Sequence, residues 1–396
     1  MFGFYADRQA ATPVKAEALE AMLPFFRENF GNAQSLHSIG QKASEALEKA
    51  REQVASLLNS QPEEIIFVAS GSEANNLAIK GLALANQAKG KHLVISAIEH
   101  VSILKSVKFL EKLGFRSTIV PVDEYGRVHP DRVAEAITSE TVLVSVMMAN
   151  NEVGTIQPIA EISRVCKEKG VLFHSDGVAA VGNVPVNVKT SGVDALSLAA
   201  DQFGGPKGAA ALYVKKGVKL TPLIDGGNQE GSRRGGTENV PAIVGLGVAA
   251  QLSAQEMEER NQKLVVLRDK LIQGLLARID EVILTGHPVE RLPYHASFCI
   301  KFVEGESMLL SLDLKGIQVA SGSACTSKSL RASHVLLAMG IDQATAQGSL
   351  VISLLDEAKE EEVDYFLDNF PPIVQRLRQM SPLYTKHLQE KKDVYR

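Results

Sequence analysis

Short apolar runs alternate with helical patterns from residue 62 onward, and this alternation restricts the possible fold more than any other feature. Apolar runs that are mostly followed by a helical pattern are typical of the parallel strands of a doubly wound sheet, which are buried on both faces. The pattern therefore predicts an α/β protein whose mostly parallel, seven-stranded sheet is flanked by helices. The runs are IIFVA, HLVIS, RSTIVPV, TVLVSVMM, VLFHSD, DALSLA and AAALYV.

A long helical pattern from about residue 239 to about residue 279 separates this region from the rest of the chain. Beyond it, the strand-like runs VILTG, ASFCIKF and GIQVAS alternate with further helical patterns. This arrangement predicts a second, smaller α/β domain at the C-terminal end. We predict that residues 16–258 form the large domain, and that residues 1–15 and 259–396 form the small domain, which carries a cysteine loop.

The charge balance excludes several classes of partner. The 42 Lys and Arg residues against 46 Asp and Glu residues give a net charge of −4, which argues against nucleic acid and against a polybasic membrane contact. No apolar run approaches the roughly 18 residues that a membrane span requires. Three cysteines cannot form a disulfide framework in 396 residues. We therefore expect a cytoplasmic protein that binds neither nucleic acid nor membranes.

Polar residues follow four of the predicted strands, at the sheet edge where α/β proteins bind ligands. Gly71 and Ser72 open a helix after IIFVA, and the free N–H groups of such a turn suit a phosphate. The same turn is equally compatible with a simple strand-to-helix connection capped by serine. His100, Asn151 and Asp176 follow the runs HLVIS, TVLVSVMM and VLFHSD. Four such positions together indicate a ligand site more strongly than any one of them.

Motifs spread over nearly the whole chain resemble the cysteine desulfurases, which belong to the class V aminotransferase family of fold-type I enzymes that depend on pyridoxal phosphate (PLP). The resemblance implies an aminotransferase-like large domain, a homodimer, release of sulfur from L-cysteine, and delivery of that sulfur to an iron–sulfur scaffold protein. The shared segments are YADRQAATP, FGNAQSLHSIG, SGSEANN, ANNEVGTIQP, FHSDGVAAVGNVPV, GGPKGAAALYV, RRGGTENV, ASGSACTS and SPLY.

The resemblance also implies roles for the polar residues at the sheet edge. Asp176 would pair with the pyridine nitrogen of PLP and keep the ring protonated. His100 would stack on the face of the ring, and Asn151 would lie beside the ring hydroxyl. Gly71 and Ser72 would hold the phosphate.

Two further elements of the resemblance lie outside this cluster. Thr237 would reach the phosphate in the site of the other subunit. Cys325, which lies within a run of small polar residues, would attack the substrate sulfur and carry it as a persulfide. Cys166 lies within a helical pattern and Cys299 lies within a strand-like run, so we interpret both as buried apolar residues.

The chain departs from the family pattern at the positions that handle the cofactor and the substrate. The Gly-Pro-Lys-Gly turn fixes the register, so Gln202 replaces the lysine that bonds PLP, and a glutamine has no amine to form a Schiff base. Ala199 and Asp201 replace a serine and a histidine that bind the phosphate. Ala179 replaces a glutamine beside the ring hydroxyl. Val351 replaces the arginine that binds the substrate carboxylate.

These departures predict a chain that binds no cofactor, with the remaining cofactor-binding residues as a vestigial pocket. We interpret Lys207 as part of the Gly-Pro-Lys-Gly turn and not as a substitute for the missing lysine. On this hypothesis Cys325 accepts sulfur or ligates a [2Fe–2S] cluster shared with a scaffold protein. Two alternatives remain open: an active cysteine desulfurase, or an inactive subunit that pairs with a lysine-bearing paralogue.

Overall fold

The computed structural model describes residues 3–322 and 332–394, and it describes the side chains up to residue 391. Its twelve strands fall into three sheets. In chain order they are β1 (Phe4–Tyr5), β2 (Ile65–Val68), β3 (His92–Ser96), β4 (Arg116–Val120), β5 (Thr141–Ser145), β6 (Leu172–Asp176), β7 (Ala195–Ala199), β8 (Ala210–Val214), β9 (Val282–Leu284), β10 (His295–Ile300), β11 (Ile317–Gln318) and β12 (Ser349–Ser353).

The largest sheet has seven strands in the order β2-β8-β7-β6-β5-β3-β4, which confirms the predicted fold. The pairings from β7 to β4 are parallel, and β8 runs antiparallel to both β7 and β2. Strands β2, β3, β5, β7 and β8 are buried along their whole length, as strands covered by helices on both faces must be. The carboxyl ends of β2, β3, β5, β6 and β7 therefore lie at one edge, together with the start of β8.

The remaining strands form two smaller sheets near the C-terminal half. β10 lies between β12 and β9 and is antiparallel to both. β12 was not among the predicted strands, because its residues were interpreted as the segment that binds the substrate carboxylate. The predicted strand GIQVAS forms β11, but it pairs in parallel with β1 from the start of the chain and not with its neighbours in sequence.

A helix of 39 residues, Val240–Arg278, connects the two halves of the chain, and Asn239 caps it by accepting a hydrogen bond from the N–H of Ala242. It packs most extensively on the helix Ser38–Leu58. The other α-helical segments are Ala16–Met22, Pro24–Arg27, Gly71–Asn76, Leu82–Asn86, Val101–Glu111, Pro130–Ala136, Ile159–Glu168, Val188–Ser191, Gln229–Ser232, Gly305–Asp313, His334–Ala338, Gln343–Ala346, Glu360–Gln379 and Pro382–Val394.

Among the described residues, no helix is both long enough and apolar enough to cross a membrane. The division into domains at residues 15 and 258 stays a prediction.

Candidate active site

A cavity of about 410 Å³ opens where the carboxyl ends of the parallel strands meet. This volume lies within the range of small-molecule and cofactor sites. The structure brings six of the predicted site residues into its lining: Gly71, Ser72, His100, Asn151, Asp176 and Gln202. Each follows or ends a different strand of the large sheet, apart from the adjacent pair after β2, so the sheet itself positions the cluster.

Asp176 ends β6 and contributes a buried carboxylate to the cavity, with only 3% of its surface exposed. Its Oδ2 accepts a hydrogen bond from Nδ2 of Asn75 (2.7 Å), and its Oδ1 accepts one from the N–H of Val178 (3.0 Å). Burial raises the pKa of Asp176, although these bonds and the nearby imidazole of His100 act in the opposite direction. The carboxylate is therefore short of a positively charged partner within the described structure.

His100 is connected to Asp176 through hydrogen bonds. Its Nδ1 accepts a hydrogen bond from the N–H of Ser102 (3.2 Å) and lies 2.7 Å from the Ser102 hydroxyl. The same hydroxyl accepts a hydrogen bond from Nδ2 of Asn75 (2.9 Å), whose other amide hydrogen binds Asp176. Because Nδ1 is an acceptor, the neutral imidazole carries its proton on Nε2. The network thus fixes both the orientation and the tautomer of His100.

The turn after β2 provides free backbone N–H groups at the start of a helical stretch. Ser70 caps this stretch, since its hydroxyl accepts a hydrogen bond from the N–H of Glu73 (3.1 Å). Glycine at position 71 leaves room for Val178, because a Cβ here would lie 2.7 Å from Cγ2 of Val178. The N–H groups of Gly71 and Ser72 have no intrahelical acceptor at this end, which makes the turn suited to an anion.

The segment after β7 forms the opposite wall of the cavity. Gln202 is 7% exposed, and its Nε2 donates to the carbonyl of Gln9 at 3.3 Å. Asp201 also lines the cavity, and partial burial raises the pKa of its carboxyl while the ammonium of Lys207 lowers it. Lys207 lines the same cavity. The structure therefore places an amine here, although not at position 202.

Two predicted residues lie outside this cavity, and a third is not among the described residues. Thr237 lines a separate cavity of about 120 Å³, which shares with the first the wall residues Ala69 and Gly208. Val351 is 5% exposed in β12 and pairs with Ala320, outside the lining of the larger cavity. Cys325 lies outside the described residues, so its predicted role is not tested here.

The two other thiols match their interpretation as core residues. Cys166 is 1% exposed and Cys299 is fully buried, and burial raises the pKa of each to about 12. Both are therefore uncharged and unreactive at neutral pH. Within the described part of the chain, no cluster of three or more His, Cys, Asp and Glu side chains is arranged to hold a metal ion.

Several residues of the cavity escaped the sequence analysis. Asn75 lies one helical turn after Ser72, so the spacing i, i+3 was an available signal for it. Gln9 reaches the cavity from the N-terminal segment, and no local pattern indicates this because the contact spans 193 residues. Met147 contributes apolar surface from the turn after β5.

Comparison with known proteins identifies the family. Residues 4–366 match the aminotransferase class-V family. The chain is 50% identical to a protein named cysteine desulfurase IscS from Methanosarcina thermophila, over 96% of this chain and 94% of that one. A solved NifS-like protein superimposes with a TM-score of 0.89 at 37% identity, covering 95% of this chain and all of that one. A structure described as SspA in complex with cysteine superimposes with a TM-score of 0.78 at 35% identity, covering 89% and 98%.

The chain therefore belongs to the class-V aminotransferase family. Within that family, relatives 50% identical to this chain are named cysteine desulfurase IscS.

This membership overturns one prediction. The expectation that the chain binds no cofactor is wrong, because the class-V aminotransferase match and cysteine desulfurase relatives at 50% identity indicate that PLP is bound. The prediction gave too much weight to the missing amine at position 202 and to the phosphate ligands replaced by Ala199 and Asp201. The residues that would contact the ring and the phosphate, Asp176 and the turn at Gly71 and Ser72, are in place.

The described residues fit PLP at both of its ends. Asp176 lacks a cationic partner, which a protonated ring nitrogen would supply, and Oδ1 of Asn75 is buried without a hydrogen-bond partner. The turn at Gly71 and Ser72 leaves backbone N–H groups for the phosphate. We infer that the departures from the family pattern change how the cofactor is held and not whether it is held.

Proposed function

We propose that the chain is a cysteine desulfurase that converts L-cysteine to L-alanine and retains the sulfur as a persulfide on Cys325. The observation that carries the proposal is the cavity in which Asp176, His100 and the turn at Gly71 and Ser72 lie together at one sheet edge. The desulfurase names of the relatives and the solved relative described in complex with cysteine support L-cysteine as the substrate.

The proposed reaction is balanced without an external oxidant. The bond between Cβ and sulfur of the substrate breaks, a sulfur–sulfur bond forms at Cys325, and Cβ gains the hydrogen that makes it the methyl group of alanine. An iron–sulfur scaffold protein is the proposed acceptor of the sulfur.

When bound, PLP supplies an electron-withdrawing ring that stabilises negative charge at Cα of the substrate. Asp176 would keep the ring nitrogen protonated, and the bonds from Asn75 and Val178 hold its carboxylate in place. His100 lines the cavity and would donate a hydrogen bond from Nε2–H to the substrate there. The N–H groups of the turn after β2 would bind the phosphate.

An amine is also required to take the proton from Cα, and position 202 does not provide one. Among the described residues that line the cavity, Lys207 is the one that carries an amine. Contrary to the interpretation from the sequence, this proposal gives Lys207 the place of the lysine that Gln202 replaces, because Lys207 lines the cavity.

A second candidate function is favoured by the side chains at Gln202, Asp201 and Val351. Here the chain binds PLP but does not release sulfur from L-cysteine by itself, and Cys325 accepts sulfur from another source. That source would be a lysine-bearing paralogue joined to this chain as a dimer. The amide of Gln202 is already bonded to the carbonyl of Gln9, which leaves no group at that position to move a proton.

One experiment separates the two candidates. The protein is incubated with PLP, L-cysteine and a reductant, and alanine and sulfide are quantified for the wild type and for Lys207→Ala. Production of alanine by the wild type that is lost in Lys207→Ala supports the first candidate. No alanine from the wild type, together with alanine from a variant combining Gln202→Lys, Asp201→His and Ala199→Ser, supports the second.

A homodimer and a cytoplasmic location belong to the same proposal. The resemblance implies that the segment around Thr237 reaches into the site of the neighbouring subunit, and Thr237 is exposed on this chain. Sedimentation as a monomer at micromolar concentration would contradict the dimer.

A further inference from the structure

Two glutamine side chains, Gln9 and Gln202, share one wall of the cavity. Nε2 of Gln202 donates to the backbone carbonyl of Gln9 at 3.3 Å, so the two residues are in direct contact. Each side-chain amide has an NH2 group that donates hydrogen bonds and an oxygen that accepts them. Which of these two groups is left for a ligand follows from the partners that each amide has in the described structure.

The partners of Tyr294 determine the orientation of the Gln9 amide. The hydroxyl of Tyr294 donates to the carbonyl oxygen of Ala179 at 3.2 Å, and this oxygen can only accept. Burial raises the pKa of Tyr294 to about 12, so the hydroxyl keeps the proton that it donates. The same hydroxyl therefore accepts its second bond, which comes from Nε2 of Gln9 at 2.7 Å. The Gln9 amide thus directs its NH2 group to Tyr294 and leaves Oε1 without a donor among the described residues.

The amide of Gln202 is also oriented by acceptors. Its Nε2 donates to the carbonyl oxygen of Gln9. Partial burial raises the pKa of Asp201, and a hydrogen bond from the Gln202 side chain opposes this rise. Because both partners are acceptors, they use the NH2 group and not the oxygen. No described residue donates to Oε1 of Gln202, so this wall of the cavity offers two amide oxygens to a ligand.

The charged groups of the cavity favour a ligand that donates hydrogen bonds and carries positive charge. The lining includes the carboxyl groups of Asp176 and Asp201, and Lys207 contributes the one amine among the described lining residues. No arginine is found among those residues, so a ligand carboxylate lacks a guanidinium that could bind it with two bonds. An ammonium group has three N–H donors and finds two amide oxygens on the wall.

We propose that Oε1 of Gln9 and Oε1 of Gln202 bind the ammonium group of the amino acid substrate, and that Tyr294 is a positioning residue that holds the Gln9 amide in the accepting orientation. This inference rests on the proposed function, which places L-cysteine in the cavity. It makes the amine, and not the carboxylate, the group by which the cavity selects its ligand. Tyr294 is buried, and the guanidinium of Arg8 lies 4.6 Å from the centroid of its ring, which holds the phenol in place.

Three thiols of similar size test which group is recognised. L-Cysteine carries an amine and a carboxylate, cysteamine lacks the carboxylate, and 3-mercaptopropionate lacks the amine. Saturation-transfer NMR titration measures the Kd of each for the whole chain without PLP, so turnover does not contribute. We expect cysteamine to bind within about threefold of L-cysteine, and 3-mercaptopropionate at least about tenfold more weakly, because hydrogen bonds to a charged group are strong. Equal binding of 3-mercaptopropionate and L-cysteine, or no saturable binding of L-cysteine and cysteamine, would overturn the proposal.

Two variants of Gln9 test the acceptor itself. Gln9→Met lacks the amide oxygen, so it should weaken L-cysteine and cysteamine about tenfold and leave 3-mercaptopropionate unchanged. Gln9→Glu keeps an acceptor oxygen and should bind L-cysteine at least as tightly as the wild type. Exposed Gln273, in the helix Val240–Arg278, provides the matched control Gln273→Met, which should change none of the three Kd values. An equal loss for all three thiols in Gln9→Met would refute the acceptor role.

A comparison in two backgrounds isolates the positioning role of Tyr294. Tyr294→Phe frees the Gln9 amide to rotate, so the binding of L-cysteine should weaken about threefold. In the Gln9→Glu background the same change should have no effect, because a carboxylate presents an oxygen in either orientation. An equal loss in both backgrounds would show a general loss of packing and would contradict the positioning role. If Tyr294→Phe does not fold, Gln9→Met against Gln9→Glu decides, and equal Kd values for L-cysteine in that pair refute the proposal.

The binding measurement is independent of turnover. If the wild type makes no alanine but the order of the three thiols is as expected, the proposed function fails while the ammonium site stands. If alanine is made and Gln9→Met changes neither the Kd nor the KM for L-cysteine, the ammonium site fails while the proposed function stands.

Discussion

The buried ion pair between Arg51 and Glu230 predicts a large effect on stability. Oε2 and Oε1 of Glu230 accept hydrogen bonds from Nη1 and Nη2 of Arg51 at 2.8 and 3.0 Å, and the N–H of Phe67 donates to Oε2 at 2.8 Å. The side chains are 11% and 2% exposed. Arg51 also lies over the ring of Phe67, 4.6 Å from its centroid. The pair therefore joins the helix Ser38–Leu58 to β2.

Replacing Glu230 with alanine removes three hydrogen bonds at once and leaves a buried guanidinium with weaker partners. Those partners are the carbonyl of Ile65 (2.9 Å) and the carboxylate of Glu48 (3.2 Å), which is 60% exposed. Breaking a buried ion pair on one side costs about 3–5 kcal/mol. We therefore expect Glu230→Ala to lower the free energy of unfolding by about 3–5 kcal/mol, a large part of the roughly 5–15 kcal/mol typical of a domain.

The assay is urea denaturation followed by circular dichroism, with refolding checked at each point. The informative comparison is the pair Arg51→Met and Glu230→Gln, because the glutamine oxygen still accepts the bond from the N–H of Phe67. Each single change removes one charge from the buried pair and should therefore cost several kcal/mol of stability. The double variant should cost clearly less than the sum of the two single changes. A loss below about 1 kcal/mol in Glu230→Ala, or additive single changes, would refute the reasoning.

The same pair holds an unusual backbone conformation. Glu230 has a φ of 50°, in the left-handed region that non-glycine residues rarely adopt, and its carboxylate is fixed by Arg51. The segment that follows carries Arg234, whose Nε donates to Glu73 at 2.9 Å, and then Thr237. If this segment forms part of a dimer interface, Glu230→Ala should also shift sedimentation toward the monomer.

Two further predictions concern the thiols and the cavity wall. Cys325→Ser should abolish sulfur acceptance without changing the unfolding midpoint. Cys166→Ala and Cys299→Ala should each lower the free energy of unfolding by on the order of 1 kcal/mol and leave sulfur acceptance intact. A loss of sulfur acceptance in either of these two variants would contradict the prediction. Asp201→Asn should tighten PLP binding roughly tenfold in equilibrium dialysis, because it removes a carboxylate from the wall that faces a phosphate and leaves Lys207 without its counter-charge. Unchanged or weaker binding would contradict this reasoning.

Local patterns account for most of the large sheet. Each of its seven strands coincides with one of the predicted runs. The five strands buried along their whole length are rich in apolar residues, as burial on both faces requires, whereas the edge strand β4 is mostly exposed or half-buried. The rule that ligands bind at carboxyl strand ends placed His100, Asn151 and Asp176 in one cavity before any contact was known. The long connecting helix was also predictable, since Asn239 at its start is a favoured N-cap residue.

What escaped prediction depends on contacts between residues distant in sequence. β1 pairs with β11, and the hydroxyl of Ser333 donates to Glu152, 181 positions away in the sequence. The periodicity of the local sequence indicates neither contact. The cofactor prediction failed for a different reason. It weighed the missing amine at Gln202 and the phosphate ligands replaced by Ala199 and Asp201, whereas the backbone N–H groups and the buried carboxylate of Asp176 remain in place.

The parallel pairing of β1 with β11 has a consequence for how the protein is made. Phe4 pairs with Ile317, about 310 residues later in the chain, and the N–H of Arg8 binds the carbonyl of Ser353. At a ribosomal rate of about 5–20 residues per second, the first strand waits roughly 15–60 s for its partner to be synthesised. Gln9, which forms part of the cavity wall, is positioned only after that wait. The sheet edge with Asp176 can form on the ribosome well before this wall. The wall of the cofactor pocket that the N-terminal segment provides is therefore the last to be completed, although that segment is synthesised first.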